Sequence, residues 1–576
     1  MRAGDVLMQS LLNHGVSCIF GNPGTTENAI LDRLIDTPQC TYYMTLHEGV
    51  AVGAATFYAL ATGKTGVVNL HVAPGLGNAI GLIFGALKAN APLVITAGQQ
   101  DTRMRERKTM FSHDLVGMAA PVTKWSTEPR SGDEVGPAMQ RAFEIANEPP
   151  FGPVFVSLPV DVMEQEASKL ARPRDNVQSR PDSGSINVEP LVEMLLQTRS
   201  PAIVVGDDVA ATRAVGALVR LAETVGACVY RESVHAQCAF PTDHHCFRGR
   251  LPFDARSIST ALAGHDLILL VGGQFFEELW FEATQPLPET ARVARIELSS
   301  AQLAASYPID VGIAGDISAI VERLLDRLSI QGTQRDREAA GRRNQEVLEA
   351  GQRLRRDIHE RLQSVPETSP MSPMQAMYTL SQALPSNVVV ADESLTAGFM
   401  DFSASNDAIA KGAIYTSLEF GFALQGQGSY FSGRGGGLGQ AMAGAIGLQI
   451  ANPDRPVVAF IGDGSAMYSV QSLWTAAHYH LPIIFIVFSN REYRVLKHNL
   501  DIYRHRFGID PSRPYPHMDL SEPLLSYPAI AKGMGVEGES VTTADQLSKA
   551  ITKALRLKQP YLIEMEITGK ASRPAA

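Results

Sequence analysis

The chain has 576 residues, a length that suggests three or four domains of about 150 residues each. Hydrophobic residues at 45% and charged residues at 19% are typical of a folded globular protein and exclude the disordered and fibrous classes. A net charge of −10 disfavours a nucleic-acid-binding protein, which would carry a basic domain. The sequence lacks the run of about 20 apolar residues that a membrane span requires.

Two features of the sequence favour a cytoplasmic protein. Residues 1–5 lead directly into an amphipathic pattern, which is not typical of a secretory signal. The cysteines are odd in number and widely scattered, so we expect reduced thiols rather than a disulfide framework. They are Cys18, Cys40, Cys228, Cys238 and Cys246.

The first block, residues 1–170, alternates strand-like and helix-like patterns. Apolar runs at residues 16–20, 42–46 and 67–70 predict strands, and helical patterns lie before, between and after them. Strands that alternate with helices predict an α/β domain with a parallel sheet.

The second block, residues 188–330, follows a linker predicted at residues 171–187, where proline, arginine, aspartate and serine are frequent. Apolar runs such as residues 267–272 again predict buried strands. Gly206-Asp207-Asp208 replaces any G-x-G-x-x-G, so this block has no dinucleotide fingerprint. The histidines and cysteines between residues 235 and 246 fit no zinc-ligand spacing, so we predict no metal there.

A charged helical run within residues 331–371 predicts a connector on the surface, and the third block spans residues 372–576. Residues 457–487 follow the same order of strand, glycine loop, helix and strand as residues 67–95. Two related α/β blocks are therefore expected to frame the chain. The predicted fold class is α/β, with three consecutive doubly wound parallel-sheet domains.

The stretch at residues 456–490 carries the clearest functional pattern. Two apolar runs, with a glycine turn and a helical pattern between them, predict a βαβ unit whose strands are parallel. Asp463 and Asn490 each follow one of these strands, so we expect their side-chain oxygens at the same edge of the sheet. Oxygen ligands of this kind suit Mg²⁺ or Ca²⁺ rather than zinc.

Phosphate binding is the second expectation for this turn. Gly462 and Gly464 allow the backbone to approach a phosphate closely, and the helix that begins behind Ser465 favours an anion. The turn therefore predicts a metal-bridged diphosphate site. The alternative is a plain Asp-Gly turn without a ligand, because short glycine motifs often occur by chance.

Gly462-Asp463-Gly464 followed by Asn490 resembles the cofactor motif of thiamine diphosphate-dependent enzymes. The resemblance implies that Asp463, Asn490 and the backbone carbonyl of Glu492 hold Mg²⁺, which clamps the diphosphate of the cofactor. The other residues that it places around the cofactor in this part of the chain are Gly462, Gly464, Ser465, Tyr468 and Thr396.

The resemblance extends to residues that would activate the cofactor. It implies that Glu48 bonds N1′ of the aminopyrimidine ring, although a carboxylate that opens a helix can simply suit the helix dipole. It also implies that Leu438 is the wedge beneath the bent cofactor and that the Gly436 carbonyl accepts a hydrogen bond from the pyrimidine amino group. The alternative for the glycine run at residues 435–439 is a flexible loop.

Within that family, residues 22–25, 69–71, 97–100 and 240–249 are most similar to benzoylformate decarboxylase. This likeness implies that His71 relays protons and that Thr25 contacts the substrate carboxylate. A histidine at the end of a strand can instead be a core residue.

Two departures from benzoylformate decarboxylase concern the substrate. Leu279 stands where that enzyme has a second catalytic histidine, and a leucine cannot transfer protons. Residues 491–497 are far more charged than their counterpart in that enzyme. Val495 and Leu496 are expected to line the substrate pocket, which Val495 would narrow.

The resemblance implies decarboxylation of a 2-oxo acid to an aldehyde through a thiazolium ylid and an enamine, with thiamine diphosphate and Mg²⁺ (or Ca²⁺). The alternatives are a carboligase resembling acetolactate synthase, a lyase of 2-hydroxyacyl coenzyme A esters, and a protein that binds the cofactor without turnover. In the family the site lies between two chains, so the expected partner is a second copy, in a homodimer or homotetramer. We expect no nucleic-acid or membrane partner.

Overall fold

A computed structural model of the protein describes residues 1–168, 186–303, 307–397, 417–426 and 428–568. The predicted linker at residues 171–187 lies almost entirely outside these ranges. These ranges contain three sheets, each with six parallel strands, so the prediction of three consecutive doubly wound domains is confirmed. In the described ranges, no helix has both the length and the apolar character needed to cross a membrane.

The first sheet has its strands in the order β2-β1-β3-β4-β6-β5. These strands are β1 (Cys18–Gly21), β2 (Thr41–Met44), β3 (Gly66–His71), β4 (Leu93–Gln99), β5 (Trp125–Thr127) and β6 (Pro153–Pro159). The helices around it are α1 (Ala3–Asn13), α2 (Asn28–Leu34), α3 (Glu48–Thr62), α4 (Val72–Lys88), α5 (Leu115–Ala119), α6 (Gly132–Ala146) and α7 (Val160–Met163), with short 3-10 helices at Thr102–Arg107 and Ala120–Val122. The central strands are buried because helices cover both faces of the sheet.

The middle sheet has the order β12-β11-β10-β7-β8-β9. Its strands are β7 (Pro201–Val205), β8 (Cys228–Arg231), β9 (Phe247–Arg250), β10 (Leu267–Val271), β11 (Arg292–Glu297) and β12 (Val311–Ala314). The helices are α8 (Glu189–Gln197), α9 (Asp207–Ala211), α10 (Val215–Val225), α11 (Ala255–Leu262), α12 (Ser300–Leu303) and α13 (Ile317–Gln331).

The predicted charged connector forms one long helix, α14 (Gln334–Gln363). It begins at Thr333, whose hydroxyl accepts a hydrogen bond from the Asp336 N–H at 3.2 Å. Val347, Leu354 and Ile358 are buried against the middle domain. The helix therefore has an apolar face on the middle domain as well as a charged face towards solvent.

The third sheet has the order β14-β13-β15-β16-β18-β17. Its strands are β13 (Val389–Glu393), β14 (Tyr430–Ser432), β15 (Val457–Gly462), β16 (Ile483–Ser489), β17 (Glu537–Val541) and β18 (Tyr561–Glu566). Its helices are α15 (Pro373–Ala383), α16 (Ser417–Gly421), α17 (Gln440–Ala451), α18 (Asp463–Ala466), α19 (Ser472–His478), α20 (Arg494–Arg506), α21 (Tyr527–Gly533) and α22 (Ala544–Leu557), with a 3-10 helix at Leu395–Ala397.

The first and third sheets have the same strand order when their strands are numbered from β1 and from β13. The repeat predicted between residues 67–95 and 457–487 is therefore confirmed. The equivalent helices α3 and α17 pack directly on each other, where a Cβ added to Gly53 would lie 2.6 Å from the Ala443 side chain. Gly444 and Gly447 likewise meet α3 too closely to admit a side chain. Small residues thus allow the two outer domains to share one core.

Candidate cofactor and active site

The ends of β15 and β16 bring together the residues predicted to bind the metal. The two strands are adjacent and parallel, and Asp463 and Asn490 follow them directly. Asp463 Oδ2 accepts a hydrogen bond from the Arg491 N–H at 2.6 Å, and Oδ1 accepts one from the Gly464 N–H at 2.8 Å. The predicted βαβ unit is confirmed, and its two strand ends are joined through Asp463.

The oxygen atoms at these strand ends fit a hard divalent cation. Burial raises the pKa of the Asp463 carboxyl to about 6, against backbone hydrogen bonds that lower it, so a cation beside the carboxylate would stabilise its ionised form. The Asn490 side-chain oxygen accepts from the Glu492 N–H at 3.0 Å, and the Glu492 carbonyl accepts from the Arg494 N–H at 2.9 Å. A carbonyl or amide oxygen has a second lone pair, so both retain the capacity to bind Mg²⁺ or Ca²⁺.

The charged segment at residues 491–497 is paired internally. The Glu492 carboxylate accepts from Arg494 Nε at 2.5 Å and forms an ion pair with Lys497, which also lies 2.8 Å from Asp519. The Glu492 side chain is thus neutralised by two cations. Its backbone carbonyl is the better candidate for a metal ligand.

The glycine-rich loop lies beside the turn that carries Asp463. The loop has three positive backbone φ angles, of 80°, 74° and 88°, at Gly435, Gly436 and Gly439. Residues other than glycine rarely adopt such angles. The Gly439 carbonyl accepts from the Ser469 hydroxyl at 2.7 Å. Open space surrounds the Cβ position of Gly436, and Leu438 is half-buried. The loop therefore has a defined conformation and an open side on which a flat ligand can lie.

Glu393 fixes this loop, and sequence reasoning missed it. Its carboxylate ends β13 and accepts from the Gly439 N–H at 2.7 Å and the Ala441 N–H at 3.0 Å. Burial raises the pKa of the Glu393 carboxyl to about 7. The signal was available, because an apolar run at residues 388–391 leads into this carboxylate just as β15 leads into Asp463.

The remaining predicted cofactor residues lie around these two loops. They are Gly462 at the end of β15, Gly464 and Ser465 in α18, Tyr468 just after α18, and Thr396 in the 3-10 helix that follows Glu393. Ser465 is buried and hydrogen-bonds Glu393, whereas about half of Tyr468 is exposed. Gly464 packs so closely on the Tyr493 ring that a Cβ would overlap it.

Glu48 lies at the edge of the first sheet. It is the first residue of α3, is buried, and accepts from Asn78 Nδ2 at 3.0 Å and Asn22 Nδ2 at 3.4 Å. His47 precedes it and accepts the Gly49 N–H at 3.0 Å, which caps the helix. Both partners of Glu48 are neutral amides that orient the carboxyl without supplying a positive charge.

His71 ends β3 and is held by Glu27, which sequence reasoning did not identify. His71 Nδ1 lies 2.9 Å from Glu27 Oε2 and 3.2 Å from the Thr26 hydroxyl. Glu27 is buried and also accepts the Gly98 N–H at 3.0 Å. With Nδ1 engaged in this way, Nε2 is the nitrogen left for proton transfer. The predicted Thr25 lies one residue from this cluster and is exposed.

The candidate acid–base residues, Glu48 and His71, are separate from the group around Asp463 within one chain. Among the described residues, no hydrogen bond or ion pair joins Glu48 or His71 to the Asp463 group. The link between their domains is structural. The hydroxyl of Tyr479, the residue after α19, accepts the Met44 N–H at 2.8 Å and donates to the Tyr42 carbonyl at 3.0 Å.

The predicted substrate residues lie on two segments that meet. Leu279 is 64% exposed, and the residues after it contact the end of α20, where the Trp280 and Tyr503 rings are 6.3 Å apart. Val495 and Leu496 lie in the first turn of α20, and Leu496 is exposed. The structure thus brings the segment that carries Leu279 to α20. The contact lies at the C-terminal end of α20, whereas Val495 and Leu496 lie at its N-terminal end.

A cluster of metal-ligating side chains lies in the middle domain. Potential ligand atoms of His244, His245 and Cys246 are within 4.8 Å of one another. His244 Nδ1 accepts the Cys246 N–H at 3.3 Å, and its Nε2 lies 3.3 Å from Glu223. Burial raises the pKa of the Cys246 thiol to about 12, which disfavours the thiolate that a metal needs. We assign no metal to this cluster.

Three family models match consecutive parts of the chain. They describe the thiamine pyrophosphate enzyme N-terminal TPP binding domain at residues 1–118, the central domain at residues 188–324, and the C-terminal TPP binding domain at residues 416–565. The chain belongs to the thiamine pyrophosphate enzyme family. The family resemblance inferred from Asp463, Asn490 and Glu48 is confirmed.

Relatives of this chain are named as enzymes that catalyse different reactions. Benzoylformate decarboxylase from Pseudomonas aeruginosa is 34% identical over 96% of this chain and 97% of its own length. The acetolactate synthase large subunit from Haemophilus influenzae is 25% identical over 97% of this chain and 93% of its own length.

Solved structures of decarboxylases share the whole fold. The thiamine diphosphate-dependent 4-hydroxybenzoylformate decarboxylase of Rhodococcus jostii has a TM-score of 0.85 and 29% identity, and covers 99% of this chain and 100% of that chain. Benzoylformate decarboxylase from Polynucleobacter necessarius has a TM-score of 0.82 and 26% identity, with 99% of both chains covered. The fold is therefore shared along the full length of these solved structures.

Replacing Glu393 tests whether this carboxylate holds the loop in its binding conformation. Glu393→Ala leaves two buried N–H groups without an acceptor, so we expect affinity for thiamine pyrophosphate to fall about tenfold or more. Glu393→Gln keeps one acceptor oxygen and should lose less. Titration of the apoprotein with the cofactor, followed by tryptophan fluorescence, measures both effects. Unchanged affinity of the alanine variant would contradict the role.

Proposed function

We propose that the protein is a thiamine pyrophosphate-dependent decarboxylase that converts a 2-oxo acid of the benzoylformate kind to an aldehyde and CO₂. The observation that carries the proposal is the pair of strand-end groups, Glu48 and His71, in a chain 34% identical over 96% of its length to a benzoylformate decarboxylase. Glu48 is oriented by the amides of Asn22 and Asn78 and His71 by the buried Glu27 carboxylate, as an acid–base group requires.

The cofactor would be held by the third domain. Asp463, Asn490 and the Glu492 carbonyl would bind Mg²⁺ or Ca²⁺ on its diphosphate, because they offer only oxygen ligands. Gly436 and Leu438 would support the rings on the open side of the glycine loop. When bound, thiamine pyrophosphate supplies a nucleophilic carbon and an electron sink for the departing CO₂.

The first domain would supply the proton transfers. Glu48 would share a proton with N1′ of the aminopyrimidine ring, and the amides of Asn22 and Asn78 would keep its carboxyl in place. His71 would exchange a proton with the substrate through Nε2, because Nδ1 is held by Glu27. The Thr25 hydroxyl would contact the substrate carboxylate.

Leu279 favours a second candidate outcome, which is carbon–carbon bond formation. A leucine cannot transfer a proton, so Leu279 would leave the nucleophilic carbon that the bound cofactor supplies open to reaction with a second carbonyl compound. An acetolactate synthase among the full-length relatives supports this alternative. Cleavage of a 2-hydroxyacyl coenzyme A ester is a further reaction open to the same site.

A complete site would require two copies of the chain. Glu48 and Asp463 belong to groups that no hydrogen bond or ion pair joins in one chain, as judged from the described residues. A homodimer in which Glu48 of one copy meets the cofactor on Asp463 of the other solves this, and two dimers would form a tetramer. The cytoplasm is the proposed location, since all five cysteines are free thiols.

Replacing Glu48 tests the proposed chemistry. Glu48→Gln keeps the shape of the side chain but cannot share a proton in the same way, so we expect the rate of 2-oxo acid decarboxylation to fall about 100-fold or more. Glu164→Gln, which changes a half-exposed carboxylate of the same domain, should leave the rate unchanged. Product analysis with benzoylformate and pyruvate also separates aldehyde from carboligation product. Full activity of Glu48→Gln would reject this assignment.

Mixing two inactive variants tests whether sites are shared between copies. Glu48→Gln and Asp463→Ala chains are each expected to be inactive alone. After dissociation and random reassociation, half of the dimers are hybrids and each hybrid contains one intact site, so about a quarter of wild-type activity should return. No recovery, with hybrids verified by mass spectrometry, would mean that each site lies within one chain.

A further inference from the structure

Arg434 directly precedes the glycine loop and is almost wholly buried, with 2% of its side chain exposed. Its Nη1 lies 2.8 Å from Asp207 Oδ2 and 3.2 Å from Glu232 Oε1, and its Nη2 lies 2.6 Å from Glu277 Oε2. The three carboxylates come from three separate segments of the middle domain. One guanidinium of the third domain is therefore enclosed by the second.

The Arg434 side chain lies beyond the strand ends of the middle sheet, in a crevice of the kind that often binds ligands. β7 pairs with both β8 and β10, so the strand order reverses there, and ligands of doubly wound sheets bind beyond the strand ends at such a point. Asp207 lies two residues beyond the end of β7, Glu232 follows β8 directly, and Glu277 lies in the segment after β10. A nucleotide in this crevice would have to displace Arg434.

The backbone on both sides of Arg434 is anchored as well. The Ser432 N–H donates to the Ala236 carbonyl at 2.9 Å, and Asp207 in turn accepts the Ala236 N–H at 2.8 Å. On the other side, Gln440 Nε2 donates to the Arg434 carbonyl at 2.9 Å and to the Gly437 carbonyl at 2.7 Å. The position at which the glycine loop begins is thus fixed by hydrogen bonds to the middle domain.

We infer that Arg434 is a positioning residue for the cofactor, because it fixes the start of the glycine loop in the crevice of the middle sheet. The inference rests on the proposed role of Gly436 and Leu438. A glycine-rich loop has little conformational preference of its own, so its shape depends on its anchored ends. Glu277 lies two residues before Leu279, so the same guanidinium ties the cofactor loop to the predicted substrate segment.

The test compares Arg434→Lys with a matched control, Arg295→Lys. Arg295 is also buried in the middle sheet, where its Nε lies 2.7 Å from Glu297. Lysine keeps the charge at either position but not the planar, multiply bonded guanidinium. Measurements are the thermal midpoint, the dissociation constant for thiamine pyrophosphate with Mg²⁺, and the near-ultraviolet circular dichroism of the bound cofactor.

We expect Arg434→Lys to weaken cofactor binding about tenfold or more and to alter the dichroism, because the buried Asp207 and Glu232 and the partly exposed Glu277 lose their shared partner. Arg295→Lys should lower the thermal midpoint while cofactor binding changes less than about twofold. Glu277→Gln is milder, since Glu277 is one-third exposed and glutamine keeps an acceptor, and serves if Arg434→Lys does not fold. It should weaken binding about threefold and raise the KM for substrate.

Equal cofactor affinity and dichroism in wild type and Arg434→Lys would overturn the inference, as would equal affinity in wild type and Glu277→Gln if only that variant folds. Equal losses in the Arg434 variant and the Arg295 control would also overturn it, because they would show general destabilisation. Failure of the wild-type protein to bind thiamine pyrophosphate is a different result, which would reject the proposed function itself.

Discussion

The parallel pairing of β15 with β16 is the constraint on which the rest of the site depends. Their register, which places Gly462 opposite Phe488, makes both strands end at one edge. Asp463 and Asn490 therefore lie close together, and the hydrogen bond from the Arg491 N–H to Asp463 joins the two turns. The Asp463 carboxylate and the neutral oxygens near it, which are costly to bury, thus lie where a divalent cation could compensate them.

The same strand order is used twice, with different chemistry at each edge. In the third sheet the edge carries a glycine loop and the oxygens that we propose as metal ligands, whereas in the first it carries Glu48 and His71. The glycines between α3 and α17 let these two domains share a core. The middle domain has a different role. Its crevice holds Arg434, which directly precedes the glycine loop of the third domain.

Local pattern predicted the central elements and the position of the candidate site residues that follow them. Long apolar runs followed by breakers located β15, β16 and Asp463, and charged periodicity located α14. The three-residue edge strands β5 and β14 carry too little pattern to be found. Glu27 was missed because its partner Gly98 lies 71 residues away. The apolar run before Glu393 was visible in the sequence, but its hydrogen bond to Gly439, 46 residues away, was not. The carboxylates around Arg434 are more than 150 residues distant, so only the folded chain shows the cluster.

Cofactor titration of chelator-treated protein tests the central claim most directly, with wild type and Asp463→Asn compared with and without Mg²⁺. Wild type should bind thiamine pyrophosphate saturably only with the divalent cation, and Asp463→Asn should bind at least about 10-fold to 100-fold more weakly, as losses at metal sites do. Equal binding by wild type in the presence of chelator, or by Asp463→Asn in the presence of Mg²⁺, would contradict the assignment of the strand ends of β15 and β16 as the metal and diphosphate site.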